Sequence, residues 1–253
     1  MPKAKPNTKQ QSVTSLEKHP WRKCPLGQSP REGTTVSTYT RKDGTVVRGH
    51  YRKDTCADNP SGKDQLYRQE IQKIAEKHFS AFKMKPLGIL SDFKKRGNDY
   101  DYLIRGWTQY WNDILKPSQP LDPDIVKALI ASESSFNSKE WNKRTGPKRA
   151  RGLMQVTDET LRFLTDEHRE LKDHFVNLTE DDMLDPNLSI CAGIRWLFRK
   201  KELAEARLKR LLTWRKVIAE YKGLTFILET KRGKEIMKKF DKYFSELKRK
   251  GGK

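Results

Sequence analysis

Glu133 ends an apolar helical stripe, a position where a carboxylate is hard to explain as surface decoration. In the segment 122–138, DPDIVKALIASESSFNS, Asp122 can cap a helix, Pro123 suits its first turn, and Ile125, Val126, Leu129 and Ile130 recur at helical spacing. Glu133 lies four residues after Leu129 and three after Ile130, with Phe136 next on the same side, so its carboxyl group is expected among apolar neighbours. Burial favours the protonated form of a carboxyl. A Glu held protonated near neutral pH can donate to a leaving-group oxygen, the first requirement of glycosidic bond cleavage. Taken alone, the stripe is explained as well by a Glu that opens the polar end of an ordinary helix and points outward.

Downstream residues favour the chemical explanation. Residues 150–161, ARGLMQVTDETL, place Gly152, Leu153, Met154 and Gln155 ahead of a helix capped by Thr157 or Asp158. Then come DPNLSICAGIRWL at 185–197, containing Gly193, and VIAEYKG at 217–223. The ordered set E-S-x-F, G-L-M-Q, D-P-N-L and Ala-x-Tyr-x-Gly resembles the soluble lytic transglycosylase family, with its goose-lysozyme-like fold, over residues 116–225. The resemblance implies that Glu133 is the single catalytic acid and base. It also implies that Ser134, Met154, Gln155 and Tyr221 surround the sugar, with the Tyr221 hydroxyl supporting the catalytic carboxyl. Many relatives read Y-N-x-G in the last segment; here Lys222 stands in place of the asparagine and Gly223 arrives one residue early. Without the other motifs, Tyr221 and Met154 would be read as core residues.

A glycosidase of the usual kind needs two carboxylates flanking the bond. Asp158 and Glu159 read as helix-start residues, and Asp124 would lie roughly 13 Å along the axis from Glu133 at 1.5 Å per residue. A lone-carboxylate mechanism fits better. In the resembling family the N-acetyl group of the substrate assists departure. The same Glu then removes the C6 hydroxyl proton, giving a 1,6-anhydro product without water, a switch of role that requires a pKa near the working pH. The implied substrate is the peptidoglycan glycan strand, with no cofactor and no metal. The rivals are a goose-type lysozyme that uses water and a non-catalytic polyanion-binding protein on a lysozyme-like scaffold.

The expected fold is mainly α, a lysozyme-like helical bundle with a small basic N-terminal β-hairpin. The 253 residues are 34% hydrophobic with mean hydropathy −0.91, and no apolar run approaches the length of a membrane span. The first twenty residues have no apolar stretch of the secretory-signal type, so action in the periplasm or cell wall implies a phage-encoded, effector-type or other non-classical route. Charge is uneven. Residues 1–63 carry 13 Lys and Arg against 5 acidic residues, residues 64–194 carry 20 against 21, and residues 195–253 carry 20 against 7, so the whole net charge of +20 lies in the flanks. Basic flanks beside a near-neutral body suit a polyanion, whether wall polymer, lipopolysaccharide, anionic membrane or nucleic acid; no base-reading motif accompanies them. A solvated basic surface is the plainer alternative.

Around the motif region the pattern suggests five parts. Residues 1–35 are rich in polar residues and Pro and read as disordered. Residues 36–62 hold a hairpin over 36–53, turning at Asp43-Gly44, with Tyr39, Val47 and Tyr51 among Arg41, Lys42, Arg48, Arg52 and Lys53. Cys24 and Cys56 bracket it and could pair in an oxidising compartment; with His19 and His50 they also have the ligand types, though not the spacing, of a zinc site. Residues 63–115 read as two helices, one with Tyr67, Ile71, Ile74, His78 and Phe82 on a face and ending at Pro86 and Gly88, the other with Leu103, Trp107, Tyr110, Trp111 and Leu115. After the 116–225 region, residues 226–253 read as a basic amphipathic helix carrying Ile236, Phe240, Phe244 and Leu247. Gly233 interrupts its face, which favours packing on the bundle over lying on a membrane. The segment KEWNKRTGPKRAR at 139–151 reads as a mobile basic rim beside the groove.

Overall fold

A computed structural model describes residues 21–25, 27–31, 33–58, 64–166 and 174–250. His19 and most of the stretch read as disordered lie outside them. The chain divides into two compact units, Met1–Gly62 and Lys63–Lys253.

The first unit is a long antiparallel hairpin. Strands β1 (Gln28–Arg31), β2 (Thr34–Val36) and β3 (Tyr39–Thr40) pair in turn with β6 (Thr55–Asp58), β5 (His50–Arg52) and β4 (Val46–Val47). Gln28 faces Asp58, Thr35 faces Tyr51 and Tyr39 faces Val47, so all three pairs keep one register. The hairpin therefore extends well beyond the expected 36–53. The turn stands at Asp43-Gly44, where Gly44 takes a φ of 82° and the Asp43 carboxylate accepts the Thr45 N–H at 3.0 Å. Little of this unit is buried. Its base is closed by the Cys24–Cys56 disulfide, which leaves neither thiolate for a metal.

The second unit is mainly helical. Strand β7 (Asp64–Tyr67) leads into α1 (Arg68–His78), followed by α2 (Asp101–Leu115) and α3 (Pro123–Glu133). A small antiparallel pair, β8 (Ala150–Arg151) and β9 (Val156–Thr157), precedes α4 (Asp158–Thr165). Strand β10 (His174–Asn177) returns to lie parallel to β7, and α5 (Pro186–Leu208), α6 (Trp214–Tyr221) and α7 (Lys231–Lys250) complete the unit. Among the described residues no helix is long and apolar enough to cross a membrane.

Helix α5 is the axis. Asp185 caps it by accepting the Asn187 and Leu188 N–H groups at 2.8 and 3.1 Å, Pro186 opens it, and every residue from Leu188 to Arg199 is buried. A helix apolar on all sides must be wrapped, and α1, α2, α4 and α6 pack around it. The tryptophans of α2 are core: Trp107 donates its indole N–H to Asn187 at 2.7 Å and Trp111 donates to the Cys191 carbonyl at 3.1 Å. Helix α1 stops at His78, short of Pro86, and Phe79 rather than Phe82 supplies the fully buried ring, edge-on to Trp107 at 5.0 Å.

Helix α7 packs along α3. Its buried face is Met237, Phe240, Tyr243 and Leu247, while Ile236 is exposed, one position off the expected stripe. Lys248 bonds Asp122 and reaches Asp124 at 3.1 Å, tying the end of α7 to the start of α3. Between α2 and α3 lies a buried ion pair, with Lys127 Nζ 2.7 Å from Asp101 Oδ1 and 2.7 Å from Asn98 Oδ1. Burial pushes the Asp101 carboxyl up and the Lys127 ammonium down, each toward its neutral form, and their mutual attraction opposes both shifts. Removing one partner leaves the other charge stranded. Lys127→Met is expected to cost about 3–5 kcal/mol in urea unfolding, and the double variant Asp101→Asn/Lys127→Met less than the single; equal losses would show that the pairing carries no special weight.

Candidate active site

Glu133 is the last residue of α3, and the chain after it turns sharply. Ser135 and Phe136 both adopt left-handed backbone, at φ 53° and 59°. Two consecutive non-glycine residues in that region are costly, about 1–3 kcal/mol each, and persist only where surrounding contacts compel them. Here Phe136 is buried, 5.0 Å from the Phe93 ring and stacked on Tyr100 at 6.5 Å, and Arg96 donates to the Ser135 carbonyl at 2.9 Å. The turn thus presents Glu133 at a helix end that is itself anchored.

The surroundings of Glu133 differ from the apolar ones expected. The Lys222 ammonium bonds its Oε1, the Lys222 side chain being 8% exposed and that of Glu133 20%. No hydrophobic pattern announces this, because the two residues are far apart in the chain and meet only through packing of α6. The one signal was the departure from asparagine at that position.

The G-L-M-Q segment forms a tight turn over α5. Gly152 has φ 74°, and a Cβ there would stand 1.8 Å from the Met183 carbonyl oxygen. Met154 is fully buried against Gly193, where a Cβ would come within 2.5 Å of its sulfur. Its side chain lies enclosed beneath the turn. Ser134 is likewise buried, its hydroxyl donating to the Ile130 carbonyl at 3.3 Å. Gln155, half-buried with φ 49°, donates its side-chain amide to the Glu140 and Gly152 carbonyls at 3.2 and 3.0 Å.

Tyr221, the last residue of α6, donates its hydroxyl to the Met154 carbonyl at 2.6 Å rather than to the Glu133 carboxyl. Burial pushes the phenol well above its ordinary range, and the charge of Glu133 adds to the shift. Successive residues at the end of α6 therefore hold two separate pieces, Tyr221 the G-L-M-Q turn and Lys222 the carboxylate. The family model of the transglycosylase SLT domain matches residues 112–244, a little more than half of the chain.

The chain belongs to the transglycosylase SLT family. No curated protein and no solved structure matches it. The SLT match runs past residue 225 into α7, in keeping with the packing of that helix on α3. The family points to peptidoglycan cleavage in general. The other carboxylates considered for its chemistry are occupied: Asp158 is bonded by Arg151, and Asp122 and Asp124 by Lys248. Glu159 is exposed in the first turn of α4.

The rim of the SLT unit also departs from expectation. Arg151 is buried between Asp158 and Glu180 and is no part of a basic surface, whereas Lys143, Arg144 and Lys148 are exposed. The segment is folded back on itself, with Asn142 N–H on the Ala150 carbonyl at 3.0 Å and Gly152 N–H on the Glu140 carbonyl at 2.8 Å. Trp141, overlooked in the sequence, stands 61% exposed on this rim with the Arg149 guanidinium 5.6 Å from its ring. Tyr221→Phe removes the donor to the Met154 carbonyl and is expected to cost about 1–3 kcal/mol in urea unfolding. The same variant should remove none of the tyrosinate absorbance that develops near about pH 10, since the native phenol stays protonated there; a lost tyrosine transition at that pH would contradict the enclosed hydroxyl.

Proposed function

We propose that this protein is a lytic transglycosylase that breaks the MurNAc–GlcNAc bond of peptidoglycan glycan strands, with Glu133 as general acid and then general base. One observation carries the reading. Glu133 is a partly exposed carboxylate on an anchored turn, next to the end of α6, while the acidic residues weighed as its partner are bonded to Arg151 or Lys248 or sit at a helix start. A single carboxylate suits chemistry in which the substrate supplies its own second group.

In the first step Glu133 gives its proton to the glycosidic oxygen, the C1–O bond breaks with help from the substrate N-acetyl oxygen, and the GlcNAc side leaves with a 4-hydroxyl. In the second the Glu133 carboxylate takes the proton of the C6 hydroxyl, O6 bonds to C1 as the C1 bond to the N-acetyl oxygen breaks and the N-acetyl group is restored, and Glu133 is again the acid. No water is consumed. Gln155 and the exposed face of Trp141 are the groove contacts for sugar, and Tyr221 and Met154 act from behind by holding the turn. Glu133→Gln, nearly isosteric, is expected to lower wall cleavage by at least about a thousandfold with an unchanged unfolding midpoint. Mass spectrometry of muropeptides released by the parent protein should find 1,6-anhydro ends; reducing ends would identify the goose-lysozyme type of hydrolysis, and wall cleavage by Glu133→Gln would remove Glu133 from the mechanism.

The basic flanks fit an anionic wall polymer. In the hairpin, Arg41, Lys42, Arg48, Arg52 and Lys53 are all exposed, alongside Tyr39 and Tyr51. The Cys24–Cys56 disulfide suits an oxidising space outside the cytoplasm, in line with a wall substrate. Binding through many exposed charges must weaken as salt screens them, over about 8 Å at physiological ionic strength. Neutralising those five hairpin residues should lower co-sedimentation with intact wall at low salt and flatten its salt dependence, leaving cleavage of short soluble glycans unchanged. Unaltered salt dependence would exclude the hairpin as the wall-targeting element.

A further inference from the structure

Lys222, just past the end of α6, bonds the Glu133 carboxylate through its ammonium group. Its backbone is fixed, capping α6 with its N–H on the Ile218 carbonyl at 3.0 Å, next to Tyr221 with its bond to Met154. Its side chain is 8% exposed, so the contact is shielded from the solvent competition that makes surface pairs weak. The ammonium takes Oε1. Among the described residues Oε2 of Glu133 accepts no hydrogen bond from the protein, and the side chain keeps 20% of its surface exposed. A carboxylate held by one oxygen loses the freedom to rotate about its last bond and presents the other oxygen in one direction.

We propose that Lys222 is a positioning residue of the transglycosylase reaction, holding Glu133 by Oε1 so that Oε2 is the oxygen presented to the glycosidic bond and then to the C6 hydroxyl. The inference rests on Glu133 being the acid and base. It concerns orientation, so its loss acts on turnover more than on binding. An asparagine at this position would be shorter and neutral and could not make the same ion pair.

The experiment compares Lys222→Asn, Lys222→Met and Lys222→Arg with the parent and with Glu133→Gln, using soluble glycan strands and recording unfolding midpoints. Lys222→Asn and Lys222→Met are expected to lower kcat by about 10- to 100-fold with KM changed by less than about threefold, and Lys222→Arg to recover most of the loss. Because asparagine is polar and can sit at a helix end, Lys222→Asn keeps the test valid if Lys222→Met fails to fold. A parent-like kcat in Lys222→Asn overturns the inference. So does a raised kcat, which would mean that the ammonium obstructs the carboxylate. So does a loss confined to KM. These outcomes are separable from failure of the underlying reading, since activity in Glu133→Gln would displace Glu133 whatever the lysine variants do.

Discussion

The second unit depends on one constraint, that α5 is buried on every side from Leu188 to Arg199 and has to be enclosed. Each large aliphatic or aromatic side chain taken out of water on this axis contributes about 1.5–3 kcal/mol. Enclosure forces α1, α2, α4 and α6 to converge on it. Gly193 then decides how near the G-L-M-Q turn can come, because Met154 occupies the space that a Cβ would fill. Gly152 lies just as close to the Met183 carbonyl. The turn is thereby pressed onto the axis.

The site is assembled from three ends: the C-terminus of α3, the G-L-M-Q turn and the C-terminus of α6. Ends are where backbone groups and polar side chains escape the regular helix, so they are suited to chemistry. Each is also braced. The α3 end is held by Phe136 between Phe93 and Tyr100, and the α6 end fastens the other two through Tyr221 and Lys222. Backbone strain at Ser135, Phe136 and Gln155 lies in these same places, offset by packing elsewhere in the unit.

The hairpin unit is built differently. With strands of two to four residues and few buried side chains, it relies on a continuous ladder and on the Cys24–Cys56 bridge in place of a core. That economy leaves Arg41, Lys42, Arg48, Arg52, Lys53, Tyr39 and Tyr51 on the surface. Along the sequence its charge stands apart from the near-neutral residues 64–194.

What could be read along the chain was whatever local pattern specifies. Asp122 as a cap, the Ile125–Ile130 stripe, the helical stripe that holds the tryptophans of α2 and the Asp43-Gly44 turn follow from spacing and from backbone preference within a few residues. The family resemblance was legible for the same reason, since its motifs are short and ordered. The remainder required contacts between distant residues. The face of α7 was set by α3, which made Met237 and not Ile236 the buried residue. Arg151 looked basic and free until Asp158 and Glu180 closed on it, and the packing of Met154 against Gly193 of α5 joins residues far apart in the chain. The partner of Glu133 is the clearest case: an ammonium on a different helix has no period and no neighbouring signal in sequence, and only the packing of α6 against the turn brings it within bonding distance.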